Sequence, residues 1–179
     1  MIAFRAAVVS AIKARVPSVA VEEHGGRFDA AELKRVAVRA PAVFVAVLGV
    51  GDVRELGGEI GAALNMGAFV ITTSASSAPR DEAALAIVQA LLGLVPGNRW
   101  GRAEGNPDRI TAENLFSSTI DKRGVAMWAV SWRQRTTITD FDAAIASLDD
   151  FLRCDVQYPS GDGAPVAEDL ITLQGADNG

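Results

Sequence analysis

The run Pro41-Ala42-Val43-Phe44-Val45-Ala46-Val47-Leu48-Gly49-Val50 constrains this chain more than any other stretch. It is rich in valine and carries no charge, so it reads as a β-strand covered on both faces. Even extended to Ala40–Gly51 it is far shorter than the ~20 residues a membrane-spanning helix needs. Such a strand requires a neighbour beside it and apolar cover above and below. The neighbour is Ala62 to Thr73, ending Ala68-Phe69-Val70-Ile71-Thr72-Thr73, and the polar stretch Gly51-Asp52-Val53-Arg54-Glu55-Leu56-Gly57-Gly58 reads as the turn between them.

Helices supply the cover. Residues 2–15 place Ile2, Ala3, Ala6, Val9 and Ile12 on one stripe with Arg5, Lys13 and Arg15 off it, and Pro17 ends the helix. A short strand around Val19–Glu22 stops at Gly25-Gly26. Asp29 is positioned to cap a helix over 30–35, because its carboxylate can accept from free first-turn amides. A third helix starts at Ser76, Ser77 and Pro79, with Asp81 and Glu82 at the positive end of its dipole. Its apolar face is Ala84, Leu85, Ile87, Val88, Leu91 and Leu92, and Pro96-Gly97 ends it.

Two further strands are expected over 109–119 and 125–138, joined by Asp121-Lys122-Arg123-Gly124. In the second, Trp128, Val130, Trp132 and Gln134 alternate with Met127, Ala129, Ser131 and Arg133, the first set facing inward. Arg133 and Arg135 then share the opposite face. Asp140 to Leu152 has the spacing of another short helix, Tyr158–Gly163 reads as a loop, and 170–173 as a short strand. The expected fold is α+β: a single domain with a mostly antiparallel sheet of about four to five strands flanked by two or three helices. Residues 1–153 form that domain and 154–179 an acidic, partly flexible C-terminal segment.

Composition narrows the function. A single Cys and a single His exclude an intramolecular disulfide, a multi-cysteine zinc site and any two-histidine mechanism. The net charge of −5 argues against general binding to a nucleic-acid backbone. The short N-terminal apolar stretch contains Arg5 and is followed, not preceded, by further bases, the reverse of a secretory signal; a soluble protein made in a cytoplasm is expected. Charge is uneven: residues 140–179 hold nine acids and one base, whereas 1–139 hold 16 bases and 13 acids. That imbalance is either a solvated acidic tail or one pole of a surface suited to contacts between unlike faces of neighbouring copies.

No catalytic constellation emerges. Cys154 has no activating partner nearby in sequence, and His24 ends a short strand, where a turn role fits. Thr72–Ser77 offers hydroxyls without a base, and Gly49-Val50-Gly51 lacks the rest of a dinucleotide fingerprint. No cofactor and no metal are expected. Trp100, flanked by Arg99 and Arg102 in a glycine-rich loop, has the composition of an interface residue; it reads equally as a lid folded over the 84–92 helix.

The stretch Ala31–Arg35 with Arg39–Ala46, the loop Asn98-Arg99-Trp100-Gly101, and Ile110–Phe116 with Gly124–Gln134 together resemble a Mu-like phage protein family encoded just before the tail sheath and tube. The resemblance runs from about residue 2 to about residue 153. It implies a tail terminator: a small α+β virion protein that forms a ring, a hexamer, on the head-proximal end of a contractile tail, stops tube growth and offers the surface for head joining. Its implied partners are further copies of itself, tail tube and sheath proteins, and head–tail connector proteins, with DNA only in transit through the lumen and no membrane. It implies no enzyme activity. For such a role the candidate interface residues are Arg99, Trp100 and Arg102, Arg54 and Glu55 of the 51–58 segment, and Asp149 and Asp150 of the acidic segment. A head-completion or connector-adaptor protein of the neck is the alternative.

Overall fold

The computed structural model describes residues 1–74, 79–115, 120, 124–139, 153–159 and 165–172. The chain divides into two compact units, Met1–Thr139 and Asp140–Gly179. The boundary expected after residue 153 would cut into a strand that starts at Arg153, so the division falls earlier.

The first unit contains α1 (Ile2–Arg15), β1 (Ala20–Glu23), α2 (Ala30–Ala37), β2 (Ala42–Leu56), β3 (Glu59–Thr73), α3 (Arg80–Leu94), β4 (Asp108–Asn114) and β5 (Val125–Ile138). The strands form one sheet in the order β1-β2-β3-β5-β4, in which β1 and β2 are parallel and every other pair is antiparallel. The class is therefore α+β with a mostly antiparallel sheet, as the sequence indicates.

The βαβ unit explains the layering. Strand β1 reaches its parallel neighbour β2 only through a crossover, and α2 is that crossover, laid on one face. Leu33 and Val36 of α2 pack there against Ala42, Phe44, Phe69, Ile71 and Met127. Helices α1 and α3 cover the other face, burying Val43, Val45, Leu64, Met66, Val70 and Val130. Residues 42–46 of β2 are thus buried on both sides, as the uncharged valine run requires.

Several boundaries and faces differ from the sequence reading. The segment 51–56 is strand, because β2 and β3 stay paired to Leu56↔Glu59, with register shifts between Val47/Gly49 and Gly51/Arg54. Only Gly57 and Gly58 form the turn, at φ +62° and +86°, values both central positions of a tight type I′ hairpin turn require. In α1 the buried stripe is Phe4, Val8, Val9 and Ile12, while Ile2 is 63% exposed. The larger Phe4 takes the inward position, one turn from Val8 and two from Ile12. In α3, Ala84, Ile87, Val88 and Leu91 face inward, but Leu85 and Leu92 face out.

In the second unit β6 (Arg153–Pro159) and β7 (Pro165–Thr172) pair antiparallel, from Arg153↔Thr172 to Pro159↔Pro165. Tyr158 and Pro159 therefore belong to a strand rather than a loop, and β7 is longer than the expected 170–173 strand. The helix expected over 140–152 lies outside the described residues.

Candidate functional site

The loop 95–107 between α3 and β4 is fixed by one buried amide. Gln134 sits on the inward side of β5, 1% exposed. Its Oε1 accepts from Trp100 Nε1 at 2.7 Å and from Trp132 Nε1 at 3.3 Å, and its Nε2 donates to the carbonyls of Asn98 (2.9 Å) and Gly105 (3.0 Å). Each hydrogen-bonding position of this amide is used, so a polar group that would be costly if unpaired becomes a clasp. The Trp100 and Trp132 rings lie 5.9 Å apart, and the Trp100 amide donates to Asn98 Oδ1 at 2.9 Å. Further ties run from Glu104 N to the Arg135 carbonyl (3.2 Å) and from Thr136 Oγ1 to the Arg102 carbonyl (3.2 Å).

Trp100 is 7% exposed and belongs to the core cluster that includes Val88, Leu91 and Val95. This corrects its assignment as an interface residue: the ring is the lid over α3, and its indole anchors the loop. The backbone there is in the left-handed region, φ +53° at Trp100 and +67° at Gly101. A non-glycine residue holds that conformation only where its surroundings over-determine it, and the indole hydrogen bond and ring packing supply that constraint. Arg99 and Arg102 remain exposed on the anchored loop, with Arg99 Nε donating to Asn106 Oδ1 at 3.1 Å.

Arg54 and Glu55 are exposed on β2 rather than in a turn. Arg54 pairs with Gly61, Gly61 with Thr137, and the neighbouring Thr136 holds the Arg102 carbonyl. At ~4.8 Å per strand, Arg54, Glu55, Arg99 and Arg102 therefore share one end of the sheet. On the face of β5 opposite to the loop, Asp52 accepts from Arg133 and, at 3.4 Å, from Arg135. The Arg133 guanidinium, with smaller contributions from Arg135 and Arg54, holds the Asp52 carboxyl below its ordinary pKa. Arg133 and Arg135 do share a face, as the alternation predicts. Asp149 and Asp150 lie outside the described residues.

A second cluster went unnoticed in the sequence. Asp29 caps α2, accepting from the amides of Ala31 (2.9 Å) and Glu32 (2.8 Å). Glu32, three residues on, accepts from Arg35 at 2.9 and 2.6 Å and meets His24 Nε2 at 2.6 Å. The Gly26 amide donates to His24 Nδ1 at 2.9 Å, which leaves Nε2 as the donor to Glu32. The imidazole stacks on Phe28, centroids 4.3 Å apart. Arg35 first, then His24, lower the Glu32 pKa from 4.5 to about 2. The Asp-x-x-Glu spacing of a capping box was the available signal; here the glutamate turns to the histidine loop instead.

Among the described residues the exposed large apolar side chains are Met1, Ile2, Val38, Leu48, Val50, Val53, Leu85 and Leu92. Ile2, Val47, Leu48 and Val50 line a groove of about 340 Å³ between the start of α1 and β2, with Arg5 in its wall. Leu85 and Leu92 form the outer ridge of α3. Among the described residues no cluster of His, Cys, Asp or Glu is arranged to hold a metal ion, and no helix is long and apolar enough to cross a membrane.

No family model and no curated protein matches the chain. Among solved structures it is similar to a chain of a particle described as the "Virion of native gene transfer agent (GTA) particle", at 15% identity over 71% of this chain and 84% of that one, with a TM-score of 0.41.

Proposed function

We propose that this protein is a phage tail terminator: a ring, a hexamer, that caps the head-proximal end of a contractile tail, stops tube polymerisation and presents the head-joining surface. The observation that carries this reading is the coincidence of the family-like segments with one built feature. The loop Asn98–Gly101 and the strand segment ending Trp132-Arg133-Gln134 are far apart in sequence, yet the Gln134 clasp joins them. The resemblance thus falls on residues that work together. The anchored loop presents Arg99 and Arg102 at the same end of the sheet as Arg54 and Glu55, a charged end suited to meeting tube, sheath or connector proteins. In this reading the chain is a structural virion protein with no cofactor and no catalytic role, and DNA only passes through its lumen.

The test is tail length in a lysate lacking this gene, measured by negative-stain microscopy. Tails of uncontrolled, excessive length are the expected result. Tails of uniform normal length reject termination; if those tails are also detached from heads, the neck adaptor becomes the reading.

A further inference from the structure

We infer that the turn after β1 is an acid-released strap: its closed form requires a neutral His24, and a proton taken up at Nδ1 trades the Gly26 hydrogen bond for a stronger pair with Glu32.

The turn is closed at the atom where the proton enters. His24 Nδ1 accepts from the amide of Gly26, two residues on, at 2.9 Å. An Asn or Asp side chain makes the same bond in an Asx-turn, but here the acceptor is a nitrogen that titrates. A protonated imidazole has two donors and no acceptor. A proton on Nδ1 therefore faces the Gly26 N–H, donor against donor. The ring has little room to turn away: its side chain is 8% exposed, stacked on Phe28 and edge-on to Phe44 at 5.6 Å. Proton uptake and opening of the turn are one event.

The surrounding charges decide which contact survives. From α2, Glu32 faces Nε2 at 2.6 Å, and Arg35 shares that carboxylate. On β1, Glu22 and Glu23 are held by Arg39 and Arg5. Within the turn, Arg27 is exposed and Asp29 is committed to the α2 cap. Strands β2 and β3 bring the uncharged Phe44, Leu48 and Phe69. Glu32 titrates at about 2, so it is ionised throughout the range in which a histidine takes up its proton. The imidazolium keeps this charge-assisted bond at Nε2, and the cost falls on Gly26.

The strap lies over an apolar part of the sheet. The Phe28 ring is 4.7 Å from that of Phe69 and 6.4 Å from that of Phe44. Gly26, at φ +82°, sits so close beneath Leu48 that a Cβ there would meet Leu48 Cδ2 at 3.0 Å. Opening the turn bares this area beside Leu48, which is already 48% exposed.

The test is nuclear magnetic resonance on the full chain, whose one histidine makes the ring signals unambiguous. At about pH 8, above the ordinary range of histidine, the neutral ring is expected as the Nε2–H tautomer with the Gly26 amide protected from exchange. As the ring titrates, the Gly26 protection factor is expected to fall about ten-fold with the same midpoint. His24→Asn supplies an acceptor that does not titrate, and keeps Gly26 protected over that range. Glu32→Gln removes the counter-charge and moves the common midpoint to lower pH. An Nδ1–H tautomer, or Gly26 protection that ignores the ring's titration, overturns the strap in the wild-type chain alone. A midpoint unmoved by Glu32→Gln, or a folded His24→Asn chain that loses Gly26 protection in acid, overturns it too.

Discussion

At the scale of single residues, Gln134 decides the shape of the 95–107 loop. It satisfies two indoles and two backbone carbonyls that would otherwise be buried without partners. Each such orphaned group costs about 1–3 kcal/mol. Gln134→Leu, similar in size but unable to hydrogen-bond, is expected to lower unfolding free energy by about 3 kcal/mol, measured by urea titration followed through tryptophan emission. A loss under about 1 kcal/mol would show that water or loop movement replaces the clasp. The strand alternation put Gln134 on the inward face. It did not reveal what the amide holds, because its partners, Asn98 and Gly105, lie 36 and 29 residues away in sequence.

At the scale of elements, α2 is held to the end of β1 by polar contacts as well as by Leu33 and Val36. Glu32 joins Arg35 on its own helix to His24 after β1, while Arg39 pairs with Glu22. A carboxylate whose pKa is lowered on folding contributes stability that is fully present above its unfolded value. For Glu32 this contribution is lost as pH falls from about 4.5 toward about 2. Asp52, held down by Arg133, loses its own contribution in the same direction. The melting temperature is therefore expected to fall between pH 5 and pH 2.5, and Glu32→Gln to flatten part of that fall while lowering the value at pH 7. An unchanged acid slope in Glu32→Gln would remove Glu32 from the linkage. Of this arrangement the Asp29 cap was legible, since a cap is a local pattern; the His24 contact needs the β1–α2 loop to fold back.

At the scale of the whole molecule, the sheet is covered by α1 and α3 on one face and by α2 over part of the other. Beyond α2, Asn65, Ser131, Arg133 and Arg135 take the place of apolar residues on that face. Charge therefore concentrates at one end of the unit, where Arg99 and Arg102 also stand. The double change Arg99→Glu and Arg102→Glu touches exposed side chains and is expected to move stability by no more than about 0.5 kcal/mol. It is expected to weaken ring or tube assembly, seen as a smaller sedimentation coefficient or as overlong tails when it replaces the wild-type gene. Wild-type assembly would take the loop out of the interface.

What the sequence determined by itself is what depends on neighbours along the chain. The uncharged valine run dictates a doubly covered strand, Asp29 a helix start, and period-two alternation the shared side of Val130, Trp132 and Gln134 on β5, though not the burial of Met127 on the other side under α2. What the tertiary structure decided is which of several apolar faces turns inward and where polar residues find partners. In α1, Phe4 rather than Ile2 faces the sheet; in α3, which carries leucines on its outer as well as its inner side, packing against β3 and β5 chose Ala84, Ile87, Val88 and Leu91. The polar 51–56 stretch became strand because β3 continues alongside it and supplies the backbone partners. Trp100 passed from a candidate contact residue to an anchor for the same reason. Its indole proton and apolar ring could be satisfied together only where a distant strand brought Gln134 and Trp132 beneath it.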